Sequence, residues 1–390
     1  MNWSRFPVRE IGSFLCLAAF LAGEPIHFTE ERSNSRHSLI PHRSYRSMRP
    51  VVHRVVPRLE APEASLLEEA RQAEALGQDA HRPFLERVRA FRAIEQAPPA
   101  RPLPWPGTLR IAAFNAERLK DRPAVRRLMG RAGAHVALFS EVDLGMARSG
   151  NAHNIRDLIA GTGEGYLYGA EFVELDLGDR EEMRAHSGER NACSLHGNAI
   201  VTALALESPR LIPLEEGGLW FSGFEGAQRR IGRRVALAAR VAGAPEPFWV
   251  VSTHLESKTD SADRRAQIRA LLRALDSIAP HAPCVIGGDF NTKALPRGED
   301  ERHRLLESPE RHEPLFSDLR DAGFAWQHAN LALPTQNPGP TDKHEPPFGK
   351  LDWLVVRGLA AANPQIVPAR DEQGRLVSDH EMIAVDVSLR

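Results

Sequence analysis

The chain has 390 residues, of which 42% are hydrophobic and 26% are charged, a composition typical of a globular protein with one large domain plus an extension. Its formal net charge of −1 excludes a protein whose entire surface binds nucleic acid by charge, while a local basic groove stays compatible with it. The three cysteines, Cys16, Cys193 and Cys284, lack the spacing of metal ligands and are too few for a disulfide framework.

The first 60 residues are predicted to lie outside the folded domain. Ile11 to Gly23 is an apolar run behind two arginines, which resembles the core of a secretory signal and is too short to span a bilayer as a helix. Glu10 adjoins this run and no small-residue cleavage site follows it, so a disordered tail or a start codon placed too early is the alternative of equal weight. Residues 24–60 are rich in Ser, Arg, His and Pro, as disordered segments often are. The location is left open: cytoplasmic, or exported if residues 1–23 act as a signal peptide.

Residues 61–107 are predicted to form a helical extension that ends in a proline-rich linker. A capping-box pattern from Ser65 to Glu68 precedes good helix formers, and a second helical stretch is predicted from about Pro83 to Gln96. The connector from Ala97 to Gly107 is rich in proline and marks a domain boundary. We interpret the extension as helices packed on the main domain, and a docking or membrane-surface helix pair is the alternative.

From residue 108 onward, short β-like runs alternate with helical segments. Predicted strands are Leu109–Phe114, Val136–Ser140, Asn198–Leu204, Val235–Val241, Phe248–His254, Cys284–Gly287, Leu351–Val356 and Glu381–Val387. Predicted helices are Arg122–Ala132, Asn154–Ala160, Ala262–Ile278 and Leu315–Ala322. Because several strands follow one another without a helix between them, the pattern favours an α+β fold with mixed or antiparallel sheets.

The predicted strand that begins at Cys284 leads into Gly287-Gly288-Asp289-Phe290-Asn291. Residues two apart in an extended segment point to the same face, so the side chains of Asp289 and Asn291 are expected to meet one reacting atom. The two glycines are expected to let a bulky ligand approach the backbone. Polar residues also follow other strands or lie beside them: Asn115 with Glu117, Glu141 with Asp143, His254 with Glu256, Asp352, and Ser378-Asp379-His380.

These strand ends are rich in carboxylates and amides, with two histidines and no thiolate. This ligand set suits Mg²⁺ or Mn²⁺ and argues against a structural zinc site. A hard cation would polarise a phosphoryl oxygen, an Asp would activate water, and a His would act as an acid or stabilise developing negative charge. Not every acid is needed as a ligand: Asp143 and Glu256 are expected to face solvent, and Glu117 is compatible with either role.

The ordered series Asn115, Glu141, His254, Asp289-Phe290-Asn291, Leu351-Asp352 and Ser378-Asp379-His380 resembles the endonuclease/exonuclease/phosphatase superfamily. That superfamily includes deoxyribonuclease-I-like nucleases, exonuclease-III-like repair enzymes, neutral sphingomyelinases and inositol polyphosphate 5-phosphatases. The resemblance implies that residues 108–390 form the catalytic domain. It also implies a four-layer α/β/β/α fold, in which a two-sheet β-sandwich is flanked by helices and the site lies at one end of the sheets.

The same resemblance implies a divalent metal, Mg²⁺ or alternatively Mn²⁺. Glu141 would be the principal ligand, with Asn115 and Asp379 assisting. Glu117 departs from the pattern of the nuclease relatives, which often carry a shorter acid or none at this position, and its role as a ligand is left open.

The resemblance further implies the catalytic residues. Asp289 would activate or orient the attacking water, and Asn291 would position the phosphate. His380 would contact the scissile phosphate and would be oriented by Asp352. His254 would be the second histidine of the site.

Two further residues are candidates for substrate contact. Arg233 belongs to a cluster with Arg229, Arg230 and Arg234, and arginine binds phosphate in a bidentate manner. A basic turn or edge strand kept soluble by its charge is the alternative of equal weight. Asn198 lies where members of the superfamily line the groove.

We therefore expect a divalent-metal-dependent hydrolase of phosphate esters, with a nuclease-type phosphodiesterase as the first hypothesis. One alternative is hydrolysis of lipid or small-molecule phosphoesters, as by sphingomyelinases or inositol phosphatases, because the arginine cluster is the only visible track for nucleic acid. A non-catalytic binding module on the same fold is the other alternative. The expected partner is a phosphoester substrate, with nucleic acid favoured; no protein partner is predicted, and a monomer is expected.

Overall fold

The computed structural model describes residues 50–215, 220–223 and 228–390. The predicted signal segment lies outside these residues, and so does the predicted disordered tail as far as residue 49. Within the described part of the chain, no helix is long and apolar enough to cross a membrane. Residues 50–107 belong to the same compact unit as the remainder of the described chain.

Two β-sheets form the centre of the fold. Strands of the larger sheet are Val55–Val56 (β1), Ile94–Ala97 (β2), Thr108–Arg118 (β3), Val136–Leu144 (β4), Gly165–Glu174 (β5), Leu195–Thr202 (β6), Arg230–Gly232 (β8), Leu359–Val367 (β13) and Met382–Leu389 (β14). Strands of the smaller sheet are Leu206–Pro213 (β7), Val235–Val241 (β9), Phe248–His254 (β10), Cys284–Asp289 (β11) and Asp352–Arg357 (β12). The larger sheet has the order β1-β2-β5-β6-β4-β3-β14-β13, with β8 paired to β5, and the smaller has the order β12-β11-β10-β9-β7.

Helices cover the outer faces of both sheets. Those in the described residues are Ala64–Ala73 (α1), His81–Arg87 (α2), Arg122–Ala132 (α3), Asn154–Leu158 (α4), Arg180–Ala185 (α5), Ser261–Ile278 (α6) and Leu315–Asp321 (α7). Asp121 caps α3 by accepting a hydrogen bond from the backbone of Ala124, and Asp260 caps α6 in the same way through Asp263.

Hydrophobic clusters fill the spaces between four layers. Leu138 of β4 and Leu237 of β9 belong to a cluster drawn from the facing sides of the two sheets. Leu128 of α3 belongs to a second cluster on the outer face of the larger sheet. Leu271 of α6 belongs to a third, on the outer face of the smaller sheet. This arrangement confirms the predicted two-sheet sandwich flanked by helices.

Elements with a strong local sequence pattern were predicted best. Strands β9 and β10 and helix α3 have the predicted bounds. Strands β5, β7 and β13 were not predicted. Asn363 and Pro364 lie within β13, and such residues are turn signals in a single sequence. The strand forms because it pairs with β14 over most of its length, which is a contact that local sequence does not report.

The extension differs from the predicted helix pair. Helix α1 begins after Glu63, which makes no side-chain cap, so the predicted capping box from Ser65 to Glu68 does not form. Helix α2 ends at Arg87 rather than near Gln96, and Ile94–Ala97 is a strand paired antiparallel to β5. Ile94 is fully buried in the cluster between the sheets, so tertiary burial outweighs local helix preference here.

The segment that precedes α1 joins the free edges of the two sheets. Val52 exchanges two backbone hydrogen bonds of 2.9 Å with Leu211 of β7, at the edge of the smaller sheet. Val55–Val56 pairs with β2 at the edge of the larger sheet. The buried carboxylate of Glu95 in β2 accepts a 2.7 Å hydrogen bond from the backbone N–H of Leu59. The segment is therefore built into the sandwich.

Candidate active site

The polar strand ends meet at one end of the sandwich. Strands β10 and β11 are parallel, and His254 is the register partner of Asp289. Asp289 is in turn the register partner of Asp352, the first residue of the antiparallel β12. Asn115 near the end of β3 joins the larger sheet to this row, because its Nδ2 lies 3.2 Å from Asp289 Oδ2.

The two glycines before Asp289 allow close strand packing. A Cβ on Gly287 would lie 2.7 Å from a methyl carbon of Leu354 and 2.8 Å from one of Leu138, in the space between the sheets. A Cβ on Gly288 would lie 1.9 Å from the carbonyl oxygen of Thr253 in β10, and Gly288 has a φ of +145°. The expectation that these glycines admit a ligand is therefore wrong, because neighbouring protein atoms occupy that space.

Asp289 and Asn291 meet, but through a turn. Strand β11 ends at Asp289, and Asn291 has a left-handed φ of 49°, which Asn tolerates better than most residues. The backbone N–H of Asn291 donates to Asp289 Oδ1 at 2.8 Å, and its Nδ2 lies 3.2 Å from Asp289 Oδ2. The two side chains are neighbours as expected, whereas the predicted reason, one face of an extended strand, is wrong.

His380 is held in place by hydrogen bonds on both its ring and its backbone. Its Nδ1 lies 2.8 Å from Asp352 Oδ2. Its backbone N–H donates to Ser378 Oγ at 3.1 Å, and that hydroxyl donates to the carbonyl of Asn115 at 2.8 Å. Because Nδ1 is engaged by Asp352, the ring presents Nε2 to Asp289 Oδ2 at 3.6 Å.

The surroundings of His380 favour its imidazolium form. Burial alone would lower its pKa, but the carboxylates of Asp352, Asp289 and Asp379 outweigh burial and raise the pKa well above its ordinary value. The ring therefore donates from both nitrogens, to Asp352 on one side and towards Asp289 on the other.

His254 is neutral in the same site. Burial and the charge of Arg234 hold its pKa well below the ordinary value. Arg234 Nη1 lies 2.8 Å from His254 Nδ1, and a guanidinium has no acceptor, so Nδ1 accepts and the ring proton sits on Nε2. That Nε2 lies 3.5 Å from Asp289 Oδ2.

Asp289 lies where these donors converge. Burial raises its pKa to about 6, and the neighbouring Asp352 acts in the same direction. The charge of His380 and the hydrogen bonds from Asn291 and Asn115 oppose this shift. A carboxylate that titrates close to neutrality suits a general base.

Glu141 lies beside Asn115, as the resemblance implies. Its Oε1 accepts from Asn115 Nδ2 at 3.3 Å, and its Oε2 pairs with Arg118. Burial would raise the pKa of Glu141, but the charge of Arg118 holds it well below the ordinary value. Residues 117–119 all have positive φ, which curls the end of β3 and brings Arg118 to this carboxylate.

Asp379 and Glu117 share one cationic partner. Lys343 Nζ lies 2.9 Å from Asp379 Oδ2 and 2.9 Å from Glu117 Oε1. His344 Nε2 lies 3.0 Å from Asp379 Oδ2, and Glu117 Oε2 accepts from the backbone N–H of Asp379 at 3.0 Å. Burial would raise the pKa of Asp379, but His380, His344 and Lys343 lower it.

One group of side chains has the geometry to hold a cation. One oxygen each of Asp289 and Asp352 and one ring nitrogen of His380 lie within 4.8 Å of one another, although the nitrogen is a ligand only when His380 has lost its proton. Asp352 Oδ1 is buried and has no hydrogen-bond partner among the residues that the structure describes. An unsatisfied carboxylate oxygen beside a second carboxylate fits a hard cation such as Mg²⁺.

The ligand set implied by the resemblance is different. Glu141 and Asn115 are in contact, but Arg118 pairs with Glu141 and Lys343 pairs with Asp379. A cation bound there would compete with these two basic side chains. The roles of Glu141, Asn115 and Asp379 as metal ligands stay predictions.

The two predicted substrate-binding residues lie in the interior. Asn198 is fully buried, and its Nδ2 donates to Glu171 Oε1 at 3.2 Å and to the carbonyl of Val235 at 2.9 Å. Arg233 is 7% exposed. Their role in substrate contact stays a prediction.

The arginine cluster is not an exposed basic track. Arg230 is buried and its Nε lies 2.7 Å from Glu174 Oε1. Arg229 forms two 2.8 Å hydrogen bonds with Asp176, and Arg234 donates a hydrogen bond to His254 Nδ1. These three arginines therefore form neither an exposed phosphate-binding track nor a basic edge exposed to solvent.

Asp143 and Glu256 do not face solvent, so that expectation is wrong. Both are fully buried. Asp143 receives two 2.9 Å hydrogen bonds from Arg148 and lies 2.8 Å from His196 Nδ1. Glu256 accepts from Arg234 Nε at 3.2 Å. Buried cations compensate for the lost hydration of these carboxylates, and a single sequence does not report that pairing.

Sequence reasoning missed several residues at the site. Arg118 follows the polar end of β3, so its position was available as a weak signal. Arg234 was noted only as a member of a charge cluster. Lys343 and His344 lie in a long connection without a recognisable motif, and no local pattern would have found them.

The family assignment follows from the match of a family model. The model described as endonuclease/exonuclease/phosphatase family matches residues 112–380. The chain belongs to this family. Its members typically hydrolyse phosphate esters, and the matched range contains all ten residues predicted for the site.

Several solved structures are similar to this chain at low sequence identity. An endonuclease/exonuclease/phosphatase protein from Beutenbergia cavernae DSM 12333 is 18% identical, with a TM-score of 0.50 over 72% of this chain and 72% of that one. The human Nocturnin catalytic domain with bound sulfate is 16% identical, with a TM-score of 0.46 over 76% and 97% of the two chains. A mannosyl-6-phosphatase from Bacteroides thetaiotaomicron VPI-5482 is 12% identical, with a TM-score of 0.45 over 72% and 100%. A search of curated proteins found no match.

Proposed function

We propose that the protein is a divalent-metal-dependent phosphoesterase that hydrolyses its substrate by water attack. The observation that carries this proposal is the convergence of donors on Asp289. Its Oδ2 lies 3.5 Å from His254 Nε2, 3.6 Å from His380 Nε2 and 3.2 Å from Asn115 Nδ2. A base, N–H donors and carboxylate ligands are thus available at one point, as hydrolysis of a phosphate ester requires.

In this proposal each residue at the convergence has one task. Asp289 accepts the proton of the attacking water, for which a pKa of about 6 is suitable. The imidazolium of His380 stabilises negative charge on the phosphate or protonates the leaving oxygen, and Asp352 orients it. Neutral His254 donates from Nε2, and Asn291 positions the phosphate.

The proposed metal is Mg²⁺ or Mn²⁺, held by Glu141 as the resemblance implies, with Asp352 Oδ1, which has no hydrogen-bond partner in the described residues, as a further candidate ligand. When bound, the cation polarises a phosphoryl oxygen and stabilises the leaving oxygen. The absence of a thiolate from this set of described residues supports a hard cation.

The proposed reaction is cleavage of a phosphodiester, of the kind that nucleases cleave. Membership of the family supports the ester class, and the intact row of site residues argues against a non-catalytic binding module. One observation favours the alternative of lipid or small-molecule phosphoesters: Arg229, Arg230 and Arg234 are used by internal ion pairs, which weakens the predicted track for nucleic acid.

A chromogenic diester tests the proposal. Purified full-length protein is expected to hydrolyse bis-p-nitrophenyl phosphate with added Mg²⁺ or Mn²⁺ and to lose this turnover in EDTA. Asp289→Asn and His380→Ala are each expected to lower kcat by roughly a hundredfold or more. Asp300→Asn, on an exposed turn, is the matched control.

Two results would contradict the proposal. Turnover that continues in EDTA would exclude metal dependence, and full turnover by folded His380→Ala would exclude this site. A parallel screen of DNA, RNA, sphingomyelin, phosphoinositides and p-nitrophenyl phosphate distinguishes the diester hypothesis from its alternatives.

A further inference from the structure

An open cleft with four arginines lies in the segment that precedes β3. Its volume is about 240 Å³, and it is lined by Arg54, Val56, Arg58, Leu59, Glu60, Arg89, Ala90, Arg92 and Ala93. We refer to Arg54, Arg58, Arg89 and Arg92 as the arginine cleft. One glutamate faces these four arginines, so the cleft is strongly basic although the whole chain is nearly neutral.

The arginines come from two short elements of the extension. Arg54 and Arg58 flank β1, and the chain bends at residues 57–58 before Leu59 and Glu60, which also line the cleft. Arg89 and Arg92 belong to a 3₁₀ turn, Arg89–Arg92, in which side chains three apart lie above one another. The cleft is therefore a consequence of the local fold.

Two of these arginines are available to a ligand. Arg89 Nη1 pairs with Glu60 Oε2 at 2.9 Å, and Arg92 Nη2 donates to the carbonyl of Glu86. The side chains of Arg54 and Arg58 make no hydrogen bond or ion pair with any residue in the described ranges. Arg230 and Arg234, in contrast, form ion pairs with buried carboxylates.

Arg54, Arg89 and Arg92 lie at the same end of the larger sheet as the candidate active site, whereas Arg58 follows β1, which runs away from that end. Strand β2 is antiparallel to β5, β5 to β6, and β6 to β4, so the chain enters β2 from the end at which β3 and β4 finish. Five strand spacings separate β1, which Arg54 and Arg58 flank, from β3, which is roughly 24 Å. A nucleic acid strand covers that distance in about seven phosphates.

We propose that the arginine cleft binds a backbone phosphate of a nucleic acid strand whose scissile phosphate lies at Asp289 and His380. This inference rests on the proposed phosphodiesterase function and names nucleic acid as its substrate class. Arg54 and Arg58 supply bidentate donors for phosphate oxygens. The contact is independent of sequence, because it involves the backbone alone.

The lining of the cleft favours a phosphate strand over a membrane surface. Surface-bound proteins insert exposed Trp, Phe or Leu side chains, whereas the largest apolar residue of this lining, Leu59, is 4% exposed. The volume is also below the roughly 300–1,000 Å³ of pockets that enclose a drug-sized ligand, which suits one or two phosphate groups of a longer molecule.

Binding without turnover tests the site separately from catalysis. In EDTA, the full-length His380→Ala protein is titrated into a fluorescein-labelled single strand of about 12 nucleotides, long enough to span both sites. Adding Arg54→Gln and Arg58→Gln is expected to weaken binding roughly fivefold or more near 0.1 M salt and to reduce the salt slope by about one to two. Arg82→Ala removes an arginine 80% exposed in the same segment and is the matched control.

Turnover provides a second measurement. With His380 intact, Arg54→Gln/Arg58→Gln is expected to keep kcat/KM for bis-p-nitrophenyl phosphate and to lower kcat/KM for the oligonucleotide by roughly fivefold or more. If no substrate is hydrolysed by the native protein, the proposed function fails while the binding comparison still decides the cleft.

Three results would overturn the inference. The first is equal oligonucleotide affinity and salt slope with and without Arg54 and Arg58. The second is a double variant that loses binding to phosphatidylserine vesicles but not to the oligonucleotide, which would make the cleft a membrane site. The third is retention of inorganic phosphate at the cleft in the presence of saturating oligonucleotide.

Discussion

His254 and His380 present the same ring nitrogen to the same carboxylate oxygen, yet they carry different charges. Nε2 of each lies about 3.5 Å from Asp289 Oδ2. The difference arises on the far side of each ring, where Nδ1 faces Arg234 in one case and Asp352 in the other. A donor behind the ring keeps it neutral, and a carboxylate behind it keeps it protonated. The residue that contacts Nδ1 thus determines whether each histidine is neutral or protonated.

Asp352→Asn tests this assignment. The amide keeps the shape of the side chain but removes the charge that holds the proton on His380, so kcat for bis-p-nitrophenyl phosphate is expected to fall by roughly a hundredfold. The pH dependence of kcat should change with it, which a purely structural defect would not produce. Unchanged kcat in a folded variant would contradict the role of Asp352.

Glu171→Gln tests a buried carboxylate beside His254. Burial raises the pKa of Glu171 to about 7, above its ordinary value of 4.5. The folded state therefore binds more protons between these values, so the stabilising contribution is complete below pH 4.5 and is lost as pH rises through 7. In the variant, the unfolding free energy from urea denaturation is expected to fall less across this window than in the native protein. Glu246→Gln, at an exposed position, should leave the profile unchanged.

At the scale of elements, the sequence at the end of β11 serves both the packing of the strands and the candidate active site. Gly287 and Gly288 let β11 approach the facing sheet and the backbone of β10. This close approach places Asp289 in register with both His254 and Asp352. The glycines contribute to the site by bringing strands together.

Gly288→Ala is expected to destabilise the fold by roughly 2 kcal/mol or more, because the new Cβ would collide with Thr253 at a φ that side chains rarely adopt. Gly130→Ala is the control, since that position in α3 has nothing within 4 Å of an added Cβ. The control should be neutral or stabilise by up to about 1 kcal/mol. Equal thermal stability of Gly288→Ala and the native protein would contradict the packing role.

Elements with continuous apolar runs could be predicted from sequence, whereas pairing-dependent elements could not. Strands β9 and β10 are recognisable alone because both faces are buried, so most of their residues are apolar. Strand β2 follows a turn rich in arginine, and its sequence was predicted to be the end of a helix. It is a strand because Ile94 enters the core between the sheets.

At the scale of the molecule, the extension is part of the sandwich. Residues 50–56 connect the edge strands of both sheets, and β2 completes the larger one. Covering an edge in this way also removes a surface at which other strands would pair. We therefore propose that the folded catalytic unit begins near residue 50 rather than at the predicted boundary of 108.

Truncation tests this proposal. A chain that begins at residue 50 is expected to unfold cooperatively near the native midpoint. A chain that begins at residue 108 loses Ile94 and the pairing of β1 and β2, and it is expected to aggregate or to melt well below that midpoint. Circular dichroism melts of the two proteins decide between the boundaries, and equal midpoints would restore the boundary at 108.

Residue types near strand ends were sufficient to indicate the fold family and the class of chemistry. Asp289, Asn291, Asp352 and His380 are recognisable because acids, amides and imidazoles recur after apolar runs. The tertiary structure decided which charges are paired, buried or exposed, as it did for Asp143, the cluster from Arg229 to Arg234 and the arginine cleft. Charge states depend on desolvation and on partners distant in the chain, and neither is encoded in local sequence.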